Sequence, residues 1–337
     1  MLNFDKDRFV RIQRGAVDLA APINDVIIAL LRDGAENLFF LGSGGAGILM
    51  EPAWQLLQSR STFPAYLSRP AELVVTDTAK LGEKSIVVIP SLSGTTQESI
   101  EMLSFAKGKG ATVITLTGDA NSPLAVSADH TFTNPAADDT SSESFFLQSL
   151  LIALSVMHER GEWGGYDETV RELQLLPELL LDVKEAYEPQ AAETAQRLQN
   201  ENYHIITGSG MSWPEAWYYG MCILEEMQWV RTRPVHASDF FHGTLELVEK
   251  GVSVLIVRGE DETRPLADRV IAFAPRVTDK VTVFDTSEFA LPSISAVTRA
   301  LISQVLLATI FERLSAHLEV VRTHPLTVRR YYKRIAY

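Results

Sequence analysis

Nine residues from Ser91 to Ser99, SLSGTTQES, follow directly on the apolar run SIVVIP (Ser85 to Pro90), and five of the nine carry a hydroxyl. Glycine lets a backbone approach an anion closely, and the free amides of a helix N-terminus carry partial positive charge. Ser91, Ser93, Thr95 and Thr96 add hydroxyl donors that need no cation beside them. This is the chemistry of a phosphate cradle that makes little use of Lys or Arg. Helix capping is the plainer explanation, since Ser and Thr are favoured N-caps. Capping uses one hydroxyl, not four, which favours the phosphate. A second glycine turn, GSGGAG (Gly42 to Gly47), sits at the same kind of strand-to-helix junction, where open α/β sheets gather their ligands.

Proton-transfer candidates lie further on, in CILEEMQWVRTRPVHASDFFHGTLELV. Glu and His are the commonest acid–base residues at neutral pH. Adjacent helical residues diverge by about 100°, so only one of Glu225 and Glu226 should face inward. His242 is too distant to share their helix face and must come from a returning turn; its neighbours Phe240, Phe241 and Gly243 lead us to expect a packed, positioned ring. His236 reads better as a satisfied histidine at a strand end.

Other chemistries fit poorly. Gly42, Gly44 and Gly47 have the G-x-G-x-x-G spacing, but the QSRSTFPAYLSR that follows lacks the acidic residue a dinucleotide fold places there for ribose. There is no G-x-x-x-x-G-K-[ST], and GSGMS (Gly208 to Ser212) is not a G-x-S-x-G nucleophile elbow. The 7 histidines are scattered and Cys222 is the sole cysteine, so neither a metal site nor a disulfide is expected.

The elements that must hold these residues can be read from periodicity. Strands are expected at Asn37 to Gly42, Pro64 to Ser68, Ser85 to Pro90, Thr112 to Thr117 and His130 to Thr133. Helices are expected at about Gly47 to Ser59, Thr96 to Lys109 and Ser141 to Glu159. The stretch Arg160 to Glu168, with three glycines, reads as a domain boundary. The grammar then repeats: a strand at Asn202 to Gly210 leads into a helix reaching about Trp229. Strands at Val252 to Val257 and Lys280 to Asp285 follow, then a long helix over roughly Ser293 to Leu318. NLFFLGSGG and NYHIITGSG match closely enough to suggest two copies of one α/β unit.

A chain of 337 residues with 46% hydrophobic content can bury two ordinary cores. Its net charge of -13 argues against nucleic acid, and the short basic run VRRYYKR does not overturn that. No apolar run approaches the ~20 residues of a membrane span, and the charged N-terminus lacks a signal-peptide core, so a cytoplasmic protein is expected.

Together, strand-GSGGAG-helix, strand-SLSGTTQES-helix, the second GSGMS turn, EEMQW…HASDFFHGTLELVEKG and the ending HPLTVRRYYKRIAY resemble the sugar isomerase (SIS) family. Within it, the sequence looks like the bacterial deglycases of 6-phosphorylated fructosamine or glucoselysine conjugates, and it is similar to the isomerase half of glucosamine-6-phosphate synthase. The SxSGxTxE motif is specific for phosphosugar-binding SIS domains; EMQW with FFHG is more specific for the deglycase branch.

This resemblance implies an α/β fold of two SIS-type subdomains, each a parallel sheet flanked by helices in a flavodoxin-like three-layer sandwich. Their limits would be 15–160, binding the phosphosugar, and 168–320, bearing the acid–base pair, with 321–337 as a tail that closes over the site. Carried over residue by residue, it makes Glu226 and His242 catalytic, and Ser91, Ser93, Thr95 and Thr96 phosphate ligands. Ser43 serves where many relatives have a Ser at the position of Gly44. It further implies a homodimer with shared active sites, His242 coming from the neighbouring subunit. No metal or redox cofactor is implied.

The expected reaction releases an amino acid and hexose 6-phosphate by hydrolysis through an enaminol. An aldose–ketose isomerase or aminotransferase of phosphosugars is the nearest rival. A non-catalytic phosphosugar sensor is the other, disfavoured by a short N-terminus with little room for a helix-turn-helix.

Overall fold

Val-, Ile- and Leu-rich runs that are apolar on both faces have to be covered on both faces, and parallel strands flanked by helices achieve this. The computed structural model describes residues 1–332, 334 and 335; Lys333, Ala336 and Tyr337, part of the expected tail, lie outside the described residues. The chain divides into two units, Lys6–Pro177, and Glu178–Tyr337 together with Met1–Asp5.

The first unit holds a 5-stranded parallel sheet in the order β2-β1-β3-β4-β5. Its strands are β1 (Asn37–Phe40), β2 (Ala65–Leu67), β3 (Ser85–Ser91), β4 (Thr112–Thr117) and β5 (His130–Thr133). Central β3 is buried along its whole length, as its unbroken apolar run requires. One sheet face packs Phe39, Val87, Ile89 and Val113 against Met102, Leu103 and Ala106 of the helix Gln97–Gly108. The helix Ser141–Glu159 is buried from Ser141 to Met157 and packs on the helices Ala20–Arg32 and Glu51–Arg60. The glycine-bearing stretch after it turns within this unit. There Glu162 accepts hydrogen bonds from Ser61 Oγ (2.5 Å) and Thr62 N (3.1 Å).

The second unit holds a 4-stranded parallel sheet, β6 (Tyr203–Gly208), β7 (Arg231–His236), β8 (Ser253–Arg258) and β9 (Val281–Asp285), in the order β7-β6-β8-β9. Counted from its own first strand, this is the order of the first four strands of the other sheet. Strand β7, which the hydrophobic pattern does not reveal, reads RTRPVH and lies on the sheet edge. An edge tolerates its exposed arginines and Pro234, whose missing N–H would break a central ladder.

Beside this sheet the helices Leu176–Leu198 and Ser303–Val321 enclose a charged cluster. Lys184 Nζ donates to Glu312 Oε2 (2.8 Å) and to Thr309 O (3.1 Å). Arg313 Nε donates to the same Glu312 oxygen (2.7 Å), and Arg313 Nη1 to Leu2 O (2.9 Å). Burial alone would raise the Glu312 carboxyl, but Lys184 and Arg313 outweigh it and hold it below the ordinary range. A carboxyl lowered in this way stabilises the fold above its unfolded value of about 4.3, and that stabilisation is lost as pH falls through the folded value. Lys184→Met removes one of the two cations that pair Glu312 and leaves Arg313 as the other, so it is expected to cost about 1–3 kcal/mol at neutral pH, less than the full penalty of an unpaired buried charge. Denaturant unfolding should register this loss, and the gap from the parent protein should narrow below about pH 4 as Glu312 protonates.

Candidate active site

A parallel sheet with the order 2-1-3-4-5 opens a crevice where its connections diverge, beyond the carboxyl ends of its first and third strands. In the first unit those two ends carry the two turns singled out by composition. The turn after β1 is closed by glycine pairs: a Cβ on Gly42 would lie 2.6 Å from Gly47, and one on Gly47 would lie 2.3 Å from Gly42 O. Ser43 Oγ is buried there and has no hydrogen-bond partner among the described residues. A buried hydroxyl without a partner is costly unless a ligand or water meets it.

The turn after β3 depends on Gly94, whose φ is +61° and whose Cβ would lie 2.0 Å from Ser122 Oγ. Ser91 is buried, and its Oγ lies 3.3 Å from Thr96 Oγ1. Thr95 Oγ1 donates to Ser93 Oγ (2.9 Å), both on the exposed rim of the turn. Thr96 is the N-cap of Gln97–Gly108, yet its side chain makes no capping hydrogen bond to that helix. The hydroxyls therefore stand beside first-turn amides that they do not consume.

The second unit repeats this crevice at β6 and β8, and there it is filled from within. Asp261, in the loop after β8, accepts from Met211 N (2.8 Å) and from Thr263 N (2.8 Å). A Cβ on Gly210 (φ +53°) would lie 2.5 Å from the same carboxylate. Glu260 takes a bidentate pair from Arg299, at 2.7 Å for each bond. Burial would raise Asp285, but Arg264, Ser287 and Arg258 hold it down to about 2. Carboxylates of the chain itself occupy the position that an anion would take. Among the described residues Ser43 Oγ of the first Gly-Ser-Gly turn has no partner, whereas Ser209 Oγ of the second donates to Thr263 O (3.0 Å).

Glu226 follows a π-helical segment, Tyr219–Glu225. Its wider turn shows in Glu226 N donating to Met221 O (3.2 Å), five residues back. Gly220 makes room for β7 behind it; a Cβ there would come within 3.0 Å of Pro234. The two glutamates diverge as the helix requires. Glu225 is exposed and takes Thr232 Oγ1 (2.6 Å). Glu226 is half-buried and accepts from Arg329 Nε (2.7 Å). Both line a cavity of about 880 Å³ shared with Tyr203, Trp229 and Arg329 to Tyr332. Burial, with Glu226, Glu215 and Glu225 nearby, pushes the Cys222 thiol up, which removes it as a nucleophile.

His242 does not join Glu226 in this cavity. Phe240 is buried and Phe241 packs on Phe273, but the chain then turns outward and leaves His242 exposed. The packed ring expected from the flanking phenylalanines is not present within one chain, because those two side chains take the inward positions. His236 ends β7, its Nδ1 2.7 Å from Ser238 Oγ and its ring edge-on to Trp213, as befits a structural histidine. Burial lowers its pKa. Among the described residues no cluster of His, Cys, Asp and Glu could hold a metal ion.

Residues 31–158, inside the first unit and spanning both open turns, match the SIS domain family model. The chain carries a SIS domain. Across the whole chain it is similar to fructosamine deglycase FrlB of Bacillus subtilis (strain 168), with 29% identity over 94% of this chain and 98% of that protein. It is also similar to fructoselysine 6-phosphate deglycase of Escherichia coli (strain K12), with 23% identity over 92% of this chain and 89% of that protein. A Bacillus subtilis crystal structure described as a phosphosugar isomerase superposes with a TM-score of 0.87 at 28% identity, covering 95% of this chain and 99% of that one.

Around the SIS domain's open turns, and around Glu226, the structure adds residues that sequence reading missed. Ser122 closes on Gly94, and Arg329, Trp229 and Tyr203 surround Glu226. The sequence does signal Arg329, within VRRYYKR, but as a basic patch rather than as the partner of a carboxylate. Asp261 provides a direct test of the closed crevice. Asp261→Ala frees the Met211 and Thr263 amides and is expected to cost about 0.5–2 kcal/mol, the range for losing a cap, in denaturant titrations.

Proposed function

We propose that this protein is a hydrolytic deglycase, which splits a 6-phosphorylated sugar–amino acid conjugate into hexose 6-phosphate and free amino acid. The observation that carries the reading is Glu226. It is a half-buried carboxylate at the edge of a cavity, in a chain that aligns along 94% of its length with a fructosamine deglycase. In this reading Ser43, Ser91, Ser93, Thr95 and Thr96 bind the phosphate. The unpartnered Ser43 Oγ and the uncapped first turn of Gln97–Gly108 support that role.

The reaction needs proton transfer and water. An acid, assigned to His242, helps open the sugar ring by protonating the ring oxygen. For a ketoamine, Glu226 removes a proton from C1, the carbon bonded to nitrogen, and the electron pair forms the C1–C2 double bond of an enaminol as the C2 oxygen is protonated. Glu226 returns a proton to C2, which leaves an imine between C1 and nitrogen. Water adds to C1, the C–N bond breaks, and the amine leaves with a proton. One water is consumed and there is no net redox change. With a glucosyl-amine substrate the same shuttle runs in the reverse sense.

The exposed position of His242 and the resemblance to dimeric relatives support a homodimer in which each His242 serves the site of its partner. We assign the protein to the cytoplasm by the nature of this reaction; among the described residues no helix is long and apolar enough to cross a membrane. The limits 15–160, 168–320 and 321–337 are kept as the functional division into cradle, acid–base unit and tail.

The deciding assay offers a panel of fructosamine 6-phosphates and measures released amino acid; release from none of them overturns the reading. Ser91→Ala is expected to raise KM about tenfold or more while weakening inhibition by inorganic phosphate. Glu226→Gln is expected to lower kcat by about 10²–10⁴. Shared sites make a further prediction. Mixing Glu226→Gln with His242→Ala subunits should restore about a quarter of parent activity, since half the dimers are hybrids with one intact site. No gain on mixing would place both residues in the same chain's site.

A further inference from the structure

Arg329 holds Glu226 by a single bond from Nε, and its Nη1 is committed to the backbone of its own segment. Nε donates to Glu226 Oε1 (2.7 Å), while Nη1 donates to Leu326 O (2.5 Å) and Val328 O (3.2 Å). The guanidinium is thus fixed by the backbone of its own segment before it reaches the carboxylate. A bidentate clamp would occupy both oxygens. Here Oε2 has no hydrogen bond among the described residues, and the Glu226 side chain keeps 37% of its surface exposed against 13% for Arg329.

The segment that carries Arg329 is itself fastened around the end of the Glu226 helix. Gln228 Nε2 donates to His324 O (2.8 Å), and Leu326 N donates to Glu319 Oε1 (3.1 Å). His324 packs edge-on against Trp229, with 4.3 Å between centroids, and Arg330 lies 4.0 Å over the same ring. Trp229 holds this position at a φ of +56°, a conformation that crowds the Cβ of any residue but glycine. Strain of this kind persists where surrounding contacts dictate it, and it gathers at functional sites.

We infer that Arg329 is the positioning residue of the acid–base carboxylate. It fixes one oxygen of Glu226 so that the other is presented to the cavity in one orientation. A carboxylate that moves a proton between adjacent carbons must reach both from one place, and a freely rotating side chain would lose that alignment. Arg329 works through Glu226 and needs no contact with substrate. The inference rests on the assignment of Glu226 to proton transfer.

Steady-state kinetics on the full chain, with the fructosamine 6-phosphate that the panel identifies, provide the test. Arg329→Ala is expected to keep KM within about twofold and to lower kcat about 10- to 100-fold, the scale of a misaligned reacting group. Guanidinium ion at millimolar concentration should restore part of that kcat in Arg329→Ala and none in Glu226→Gln. Unchanged kcat in Arg329→Ala overturns the inference. So does a loss carried by KM alone, or one that neither guanidinium nor Arg329→Lys repairs while the melting temperature falls. Full turnover by Glu226→Gln overturns the Glu226 assignment instead, so the two failures are told apart.

Discussion

The donors at the carboxyl end of a parallel sheet converge on one small region, and the charge placed there governs what each unit can do. Amides of the following helices and hydroxyls of the turns gather there, and buried donors need an acceptor. In the second unit the chain supplies the acceptors. Asp261 takes two amides, Glu260 takes Arg299, and Asp285 is held by Arg258 and Arg264. In the first unit, among the described residues, Ser43 Oγ is left without a partner and the Thr96 side chain does not cap the helix that follows it. Two sheets that share the order of their first four strands therefore differ in how the donors of their turns are met, through a few carboxylates.

The second unit directs its carboxylate chemistry to a different edge. Its π-helical segment ends at Glu226, β7 supports that segment through the close approach of Gly220, and Arg329 meets the carboxylate from a segment some hundred residues later. The ordering charge on Glu226 and the ionic cluster around Lys184, Glu312 and Arg313 are separate devices. One leaves a carboxylate oxygen at a cavity without a hydrogen bond among the described residues, the other buries its charges and ties the N-terminal residues to the long helices. A free oxygen is needed for proton transfer, whereas full pairing is what makes buried charges tolerable.

Much of the fold was legible. The helix Ser141–Glu159 falls on the residues expected because it is long and largely buried, and the short strand His130–Thr133 also falls where expected although Phe132 is its one buried residue. β7 was not legible, since an edge strand with two arginines and a proline lacks the apolar run that marks its neighbours. The helix into Glu226 was legible as a helix but not as a π-helix, a difference of hydrogen-bond register that side-chain periodicity hardly records. At the candidate site, the hydroxyl turn was legible from composition, and helix geometry required only that Glu225 and Glu226 diverge; the preference for Glu226 came from the family resemblance. The exposed setting of His242 did not, because Phe240 and Phe241 take the inward positions.

By itself the sequence determined where strands give way to glycine and hydroxyl turns, because those choices are local: a positive φ, a close backbone approach and a helix start each demand particular residues. Tertiary structure alone decided that Asp261 closes one Gly-Ser-Gly crevice while the other stays open, and that Arg329 reaches Glu226. Both are encounters between residues far apart in the chain. Their energies depend on distance and on burial in space, which no local pattern of residues encodes.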